Sequence, residues 1–444
     1  MLLALFAALA LGATPYDEGV AALKAKDAPT AIAAFERCLA AEPADSPGWV
    51  ACQWELGWAH WVAGDWAKVV GAWEQVVRVE PQHADLDTYL PQARDNLKLQ
   101  AVLAKSREGA VATFTSQAPA GATLRVRAVG DLMIGSAFPE GYLPPDDAQG
   151  AFADVSAWLR DADLTVGNLE GPLCDEGVTR KCKPGAEDGS CYAFRSPERY
   201  AALYRDAGFD VMSTANNHAE DFGVSCRERT EQVLDGVGIG HSGRPGDIFE
   251  REVAGLKVAL IGFHANRNSH CTLDLDVASE LVRSVAARND IVIVSFHGGA
   301  EGNGATHTPP GTETYFGEDR GDVRAFAHTV VDAGADLVLG SGPHVLRGME
   351  VYRDRLVAYS LGNFATYGRF GLSGNLAIAG VVDARLAADG RFLGGALLPT
   401  AQEGRGEVRV DPQARGVDLV RTLSASDFPG TGVRVAQDGT LAAP

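Results

Sequence analysis

Five short apolar runs in this chain each lead into a residue that can bind a metal ion or move a proton. Leu124 to Gly130 leads into Asp131, Leu164 to Gly167 into Glu170, and Phe209 to Met212 into Asn216, Asn217 and His218. Ile291 to Phe296 leads into His297, and Leu337 to Leu339 into His344 across a Gly/Pro turn. Between them lie helical stretches at 152–160, 197–207, 225–237, 278–287 and 323–333, an alternation that predicts α/β units with a buried sheet. Ligands of such sheets collect outside the carboxyl ends of the strands, where side chains remote in sequence meet. After Met349 the pattern becomes short strands joined by turns at Asp354-Arg355 and Ala388-Asp389-Gly390, which predicts antiparallel hairpins. The fold class is therefore α/β over 124–400, with 401–444 reading as a peripheral Gly-, Arg- and Asp-rich tail.

Residues 14–113 have a different texture, with helical spacing of apolar positions and almost no strand signal. Gly19 recurs as Gly57, Phe35 as Trp73 and Pro43 as Pro81, a constant offset of 38 residues. The segment resembles two tetratricopeptide repeats, lengthened by a turn over Asp45 to Trp49 and closed by a capping helix from about Asp85 to Glu108. Such repeats bury their apolar faces only by stacking, and they present a groove for a protein partner or serve as a spacer. Residues 114–123 read as a linker.

The formal charge of −19 argues against nucleic acid as a partner, because phosphate backbones are bound by surplus Lys and Arg. An anionic substrate would need a local positive centre, which a metal ion supplies. Residues 1–13, MLLALFAALALGA, read as a signal peptide for export to the periplasm, cell envelope or exterior, or else as a first helix. No other apolar run is long enough to span a membrane. The seven cysteines fit an oxidising compartment, their spacing favours disulfides over a zinc knuckle, and the odd count leaves at least one unpaired within the chain.

Three candidates have a plain alternative: Asp131 as a turn residue, Glu170 as a cap of the following loop and His297 as a satisfied core histidine, whereas Asn217-His218 after a buried strand has no obvious packing purpose. Together they offer carboxylate, amide and imidazole ligands, a mixture suited to one or two divalent transition ions such as Mn, Fe or Zn. Two such ions can activate water and clamp both oxygens of a displacement at phosphorus. The Gly-rich stretch from Glu301 to Glu318 adds Glu301 and His307 as further candidates, and Asn216 and Asp221 flank the Asn-His pair. His264 and His270 are weaker candidates, while His60, His83, His241 and His328 read as structural or surface residues.

Val129-Gly130-Asp131, Gly167 to Glu170, Ala215 to His218 with Asp221-Phe222-Gly223, Phe296 to Gly299, Gly340 to His344 and Tyr359 to Phe364 occur in the order of the CapA family motifs. This region resembles those poly-γ-glutamate capsule synthesis proteins, a branch of the calcineurin-like metallophosphatases. The resemblance implies a four-layer α/β/β/α sandwich, with Asp131, Glu170, Asn217, His297 and His344 as metal ligands and His218 protonating a leaving oxygen. Arg347 and Arg369 become candidates for steadying substrate charge. Two departures stand out: Met133 occupies the place of the imidazole in the superfamily's Asp-x-His motif, and Gly342 the first histidine of a His-Pro-His motif. Two functions follow as expectations. One is an exported metal-dependent hydrolase of phosphoesterase type, acting in biosynthesis of poly-γ-glutamate or another extracellular polymer. The other is a non-catalytic scaffold of a polymer-synthesis complex, with a residual metal site and partners docked on the repeats.

Overall fold

The computed structural model describes residues 13–83, 85–108, 116, 118–179, 181–182 and 191–444. The expected signal peptide, apart from Ala13, and part of the expected linker lie outside the described residues. The chain forms two compact units that divide between Gln100 and Ala101. No helix among the described residues is long and apolar enough to cross a membrane.

The first unit is built of α1 (Pro15–Lys24), α2 (Ala28–Ala41), α3 (Pro47–Ala63), α4 (Trp66–Val79) and the start of α5 (Leu86–Glu108). Thr14, Asp27, Ser46 and Asp65 begin the first four helices, each side chain accepting a backbone N–H three residues on. A Cβ at Gly19 would run into the Phe35 ring, and one at Gly57 into the Trp73 ring, so both copies pack a glycine under an aromatic. This helical region fits the repeat pattern, and the Cys38–Cys52 disulfide ties α2 to α3.

The second unit is a four-layer sandwich. Its first sheet contains β1 (Thr123–Met133), β2 (Leu164–Leu169), β3 (Val211–Ser213) and β4 (Gly240–Ser242), hydrogen-bonded in that order and all parallel. The second contains β5 (Phe249–Val253), β6 (Leu256–His264), β7 (His270–Cys271) and β8 (Ile291–His297). β9 (Glu313–Tyr315) and β10 (Glu318–Gly321) form a separate hairpin. β11 (Leu337–Ser341), β12 (Met349–Tyr352) and β13 (Arg355–Ala358) complete the second sheet, in the order β12-β13-β11-β8-β6-β5. β14 (Asn363–Thr366), β15 (Ile378–Ala387), β16 (Phe392–Glu403), β17 (Glu407–Val410), β18 (Arg434–Val435) and β19 (Thr440–Ala442) return to the first sheet.

The sheets face each other across one apolar core, in which Val126, Val166 and Val211 of the first pack with Leu260, Ile293 and Leu339 of the second. The outer face of the first sheet buries Leu159 of α6 (Ser156–Arg160), Tyr200 and Tyr204 of α7 (Tyr200–Ala207) and Leu234 of α8 (Val224–Val237). α9 (Leu275–Ala286) and α10 (Val323–Ala333) pack beside β8 and β11 of the second sheet.

The C-terminal segment is not peripheral. It supplies β17 to β19 and α11 (Arg415–Asp427), and Val417, Val420 and Leu441 enter the core between the sheets. Val408, Leu423, Phe428, Val433 and Val435 are buried as well, while Val410 stays exposed.

Candidate metal centre

The carboxyl ends of the two sheets meet at one place, and the register explains which residues arrive there. A Cβ at Gly130 would overlap the Gly362 carbonyl, so only glycine lets β14 come this close to β1. The approach sets Asp131 opposite Asn363 on one side and Asn168 on the other. Glu170 follows the end of β2, and the turn after β3 carries Asn216 to His218. In the second sheet His264, His297 and Ser341 lie side by side in register. His344 follows in a turn with φ of 61°, a left-handed conformation that a non-glycine residue adopts at a cost of about 1–3 kcal/mol and that clusters at functional sites.

Glu170 is the hub. Its Oε1 lies 3.7 Å from His344 Nε2 and 4.0 Å from both His218 Nε2 and His297 Nε2. Both Glu170 oxygens, His297 Nε2 and Asn217 Oδ1 are buried without a hydrogen-bond partner among the described residues. Ligand atoms of Asp131, Glu170 and His297 all lie within 4.8 Å of one another. Asp131 accepts from Asn168 Nδ2 (2.8 Å) and pairs with His344 Nδ1 (2.9 Å). His297 Nδ1 lies 3.2 Å from Ser341 Oγ and 3.4 Å from Asn168 Nδ2, and these contacts hold the ring with Nε2 turned toward Glu170.

Electrostatics favour a cation here. Burial, then the neighbouring Asp131, pushes the Glu170 carboxyl well above its usual range. Burial pulls the His344 ring down, but Glu170, the Asp131 hydrogen bond and Glu301 outweigh it and hold the ring up at about 10. His297 and His264 are kept neutral by burial and by the Arg320 charge. Glu170, with both oxygens unpartnered, faces the unpartnered Nε2 of His297 beside the carboxylates of Asp131 and Glu301, and a divalent ion fits there because it would answer both the orphaned atoms and the crowded carboxylates. Asp131, Glu170 and His297 thus form a candidate metal-binding group.

His218 carries a supporting network. Its Nδ1 pairs with Asp221 at 2.7 Å, and its backbone N–H donates to Asn216 Oδ1 at 3.0 Å. Asn216 is thereby a buried positioning residue. Lys181 Nζ reaches Asp221 (2.6 Å), the Asn217 carbonyl (3.1 Å) and His218 Nδ1 (3.2 Å). Burial lowers the His218 ring to about 4 despite Asp221. A neutral ring accepts at Nε2, so it must gain a proton before it can serve as the acid the resemblance implies.

Of the outlying candidates, Glu301 does enter, with Oε2 3.7 Å from His344 Nε2. His307 does not: it is exposed and pairs with Asp427 on α11 at 2.7 Å. Arg347 is also elsewhere, fully buried, with its guanidinium committed to Glu313 and to the Ala300 and Ala305 carbonyls. Arg369 lines the cleft over the site, donating to the Cys191 carbonyl at 2.7 Å between the rings of Tyr142 and Tyr192. Sequence reasoning missed Lys181 and Arg320, whose only signals are a place next to Cys182 and one just past the Gly-rich stretch. It underrated His264, whose ring centroid is 5.5 Å from that of His297. Gly342 has a physical reason: φ is 112° and a Cβ would sit 2.8 Å from the Gly298 backbone, so no imidazole fits there unless the backbone moves. Met133 is buried, 1% exposed.

Comparison with known proteins gives the chain a family. The family model described as bacterial capsule synthesis protein PGA_cap matches residues 125–367. The chain is 31% identical over 253 residues to PGA biosynthesis protein CapA of Bacillus subtilis (strain 168), covering 53% of this chain and 61% of that protein. It is 30% identical over 261 residues to capsule biosynthesis protein CapA of Bacillus anthracis, covering 54% and 59%. The matched part thus spans about three fifths of the length of these relatives. Among solved structures, NAD nucleotidase of Haemophilus influenzae aligns over 69% of this chain and 56% of its own at 12% identity, with a TM-score of 0.32. The family match runs over more than half of the chain and takes in every strand end from Asp131 to His344, so this protein belongs to the bacterial capsule synthesis protein family PGA_cap.

Proposed function

We propose that this protein is an exported metal-dependent hydrolase of phosphoester type that serves the synthesis or remodelling of an extracellular polymer, poly-γ-glutamate among the candidates. The observation that supports it most is Glu170, a buried carboxylate with unpartnered oxygens facing three imidazole nitrogens. Asp131, Glu170, Asn217, His297 and His344 would hold one or two Mn, Fe or Zn ions. When bound, such ions supply Lewis acidity, polarising a phosphoryl oxygen and making water a better nucleophile. The chain's own residues do the rest. Asp221 fixes the His218 ring with Nδ1 protonated, Nε2 faces the site, and an anionic substrate favours the proton that His218 then passes to the leaving oxygen. Lys181 and Arg369 balance substrate charge at the cleft wall.

Export is supported by three disulfides, Cys38–Cys52, Cys174–Cys226 and Cys182–Cys191, which persist in oxidising compartments. The helical repeats are the proposed dock for a partner of the polymer-synthesis machinery. A scaffold with a residual metal site is the second reading, favoured by Gly342, whose backbone leaves no room for the missing imidazole. Hydrolysis of an aryl phosphodiester with added Mn decides between them. Turnover that disappears in Asp131→Asn supports the hydrolase, and no turnover with Mn, Fe or Zn supports the scaffold.

A further inference from the structure

The most exposed large apolar side chain among the described residues is Phe316, 90% accessible at the tip of the β9–β10 hairpin. Tyr315 pairs with Glu318, so the turn consists of Phe316 and Gly317 alone, with φ of 47° and 81°. Two positive values mark a turn that Asn-Gly or Asp-Gly forms easily and that a bulky ring fits poorly. The sequence thus accepts an unfavourable backbone and an unfavourable exposure at one residue. Water contact alone explains neither.

The stem of this hairpin is held firmly. Glu313 is gripped by Arg347 at 2.7 and 2.8 Å, and Arg320 donates to the Gly299 carbonyl at 3.2 Å and pairs with Glu301 at 2.7 Å. Tyr315 and Phe316 line the cleft that contains His218 and His344, whose volume is about 700 Å³. That space exceeds the needs of a phosphoryl group, and its wall beyond the metal ligands presents Tyr192, Tyr315, Phe316 and Phe370, with Leu376 as the sole large aliphatic side chain. The Tyr315 and Phe316 ring centroids are 4.4 Å apart.

We propose that Phe316 is a stacking platform, and that the site takes phosphoesters whose ester group ends in a planar ring. Aromatic faces prefer flat rings in offset or edge contact to aliphatic chains of equal size. This inference rests on the phosphoester reading above and adds the class of group attached to the phosphoryl centre.

Isothermal titration of the full chain with Mn present, using phenylphosphonate and methylphosphonate, tests it. The two share an anionic head and differ in the ring. Phenylphosphonate should bind about fivefold more tightly to the natural protein. That preference should vanish in Phe316→Ala and Phe316→Asn and persist in Phe316→Tyr. Phe316→Asn suits the turn, so its thermal midpoint should not fall, which separates lost stacking from lost structure. Equal binding of the two phosphonates, or a preference that survives Phe316→Ala, overturns this inference alone. Binding of neither overturns the phosphoester reading together with it.

Discussion

Replacing Arg347 by Met would remove a guanidinium that makes four bonds inside the protein: to Glu313 at 2.7 and 2.8 Å, to the Ala305 carbonyl at 2.8 Å and to the Ala300 carbonyl at 3.3 Å. Glu313, 7% exposed, would retain only the Ala300 N–H at 3.0 Å. Breaking a buried ion pair by removing one partner typically costs about 3–5 kcal/mol, since the remaining charge stays buried. For a unit of this size, about 2 °C per kcal/mol converts that to a fall in thermal midpoint of about 6–10 °C. Scanning calorimetry of the natural protein, Arg347→Met, and Arg347→Met combined with Glu313→Leu would measure it. The double variant should recover much of the loss, because two matched apolar groups can replace a buried pair. An unchanged midpoint in Arg347→Met, together with weaker substrate binding, would refute the clamp and return Arg347 to the substrate-binding role that sequence suggested.

Other outcomes follow from the same geometry. Asn217→Ala should lower metal content, whereas His218→Ala should abolish turnover and leave metal content unchanged, both read by elemental analysis beside a rate assay. Metal affinity should rise with pH: the metal-free His344 ring holds its proton up to about pH 10, and a bound cation must displace it. Titration with Mn between pH 6 and 9 should show tightening by up to about tenfold per unit, with a flatter profile in His344→Gln. In the helical unit, Gly57→Ala would drive a methyl into the Trp73 ring and cost about 1–3 kcal/mol. Six of the chain's seven tryptophans lie before residue 80, so the near-ultraviolet circular dichroism melt reports that unit.

The parallel strands were legible because strands buried on both faces appear as continuous apolar runs, and a polar residue closing each run marks the sheet's carboxyl edge. Asp131, Glu170, His297 and His344 could be read from that rule alone. The repeat glycines were legible through their offset, and they do sit under Phe35 and Trp73. Side-chain partners far apart in sequence were not. Arg347 meets Glu313 across 34 residues and His307 meets Asp427 across 120, and no local pattern encodes either pairing. The C-terminal segment misled because its sparse Val417, Val420 and Leu441 lie among Gly, Arg and Asp. Its place in the core comes from β19 pairing with Gly395 and Ala396 of β16. Gly342 read as a missing ligand, yet the backbone contact with Gly298 makes it a requirement of the turn that presents His344.

The account stands on Glu170 as the centre of a metal site, and metal content measures that most directly. Protein purified without chelators and dialysed against Mn should carry one or two equivalents of transition metal by elemental analysis. Glu170→Gln, folded by circular dichroism, should carry less. A natural protein that holds no metal, or a Glu170→Gln variant that holds as much as the natural one, would contradict it.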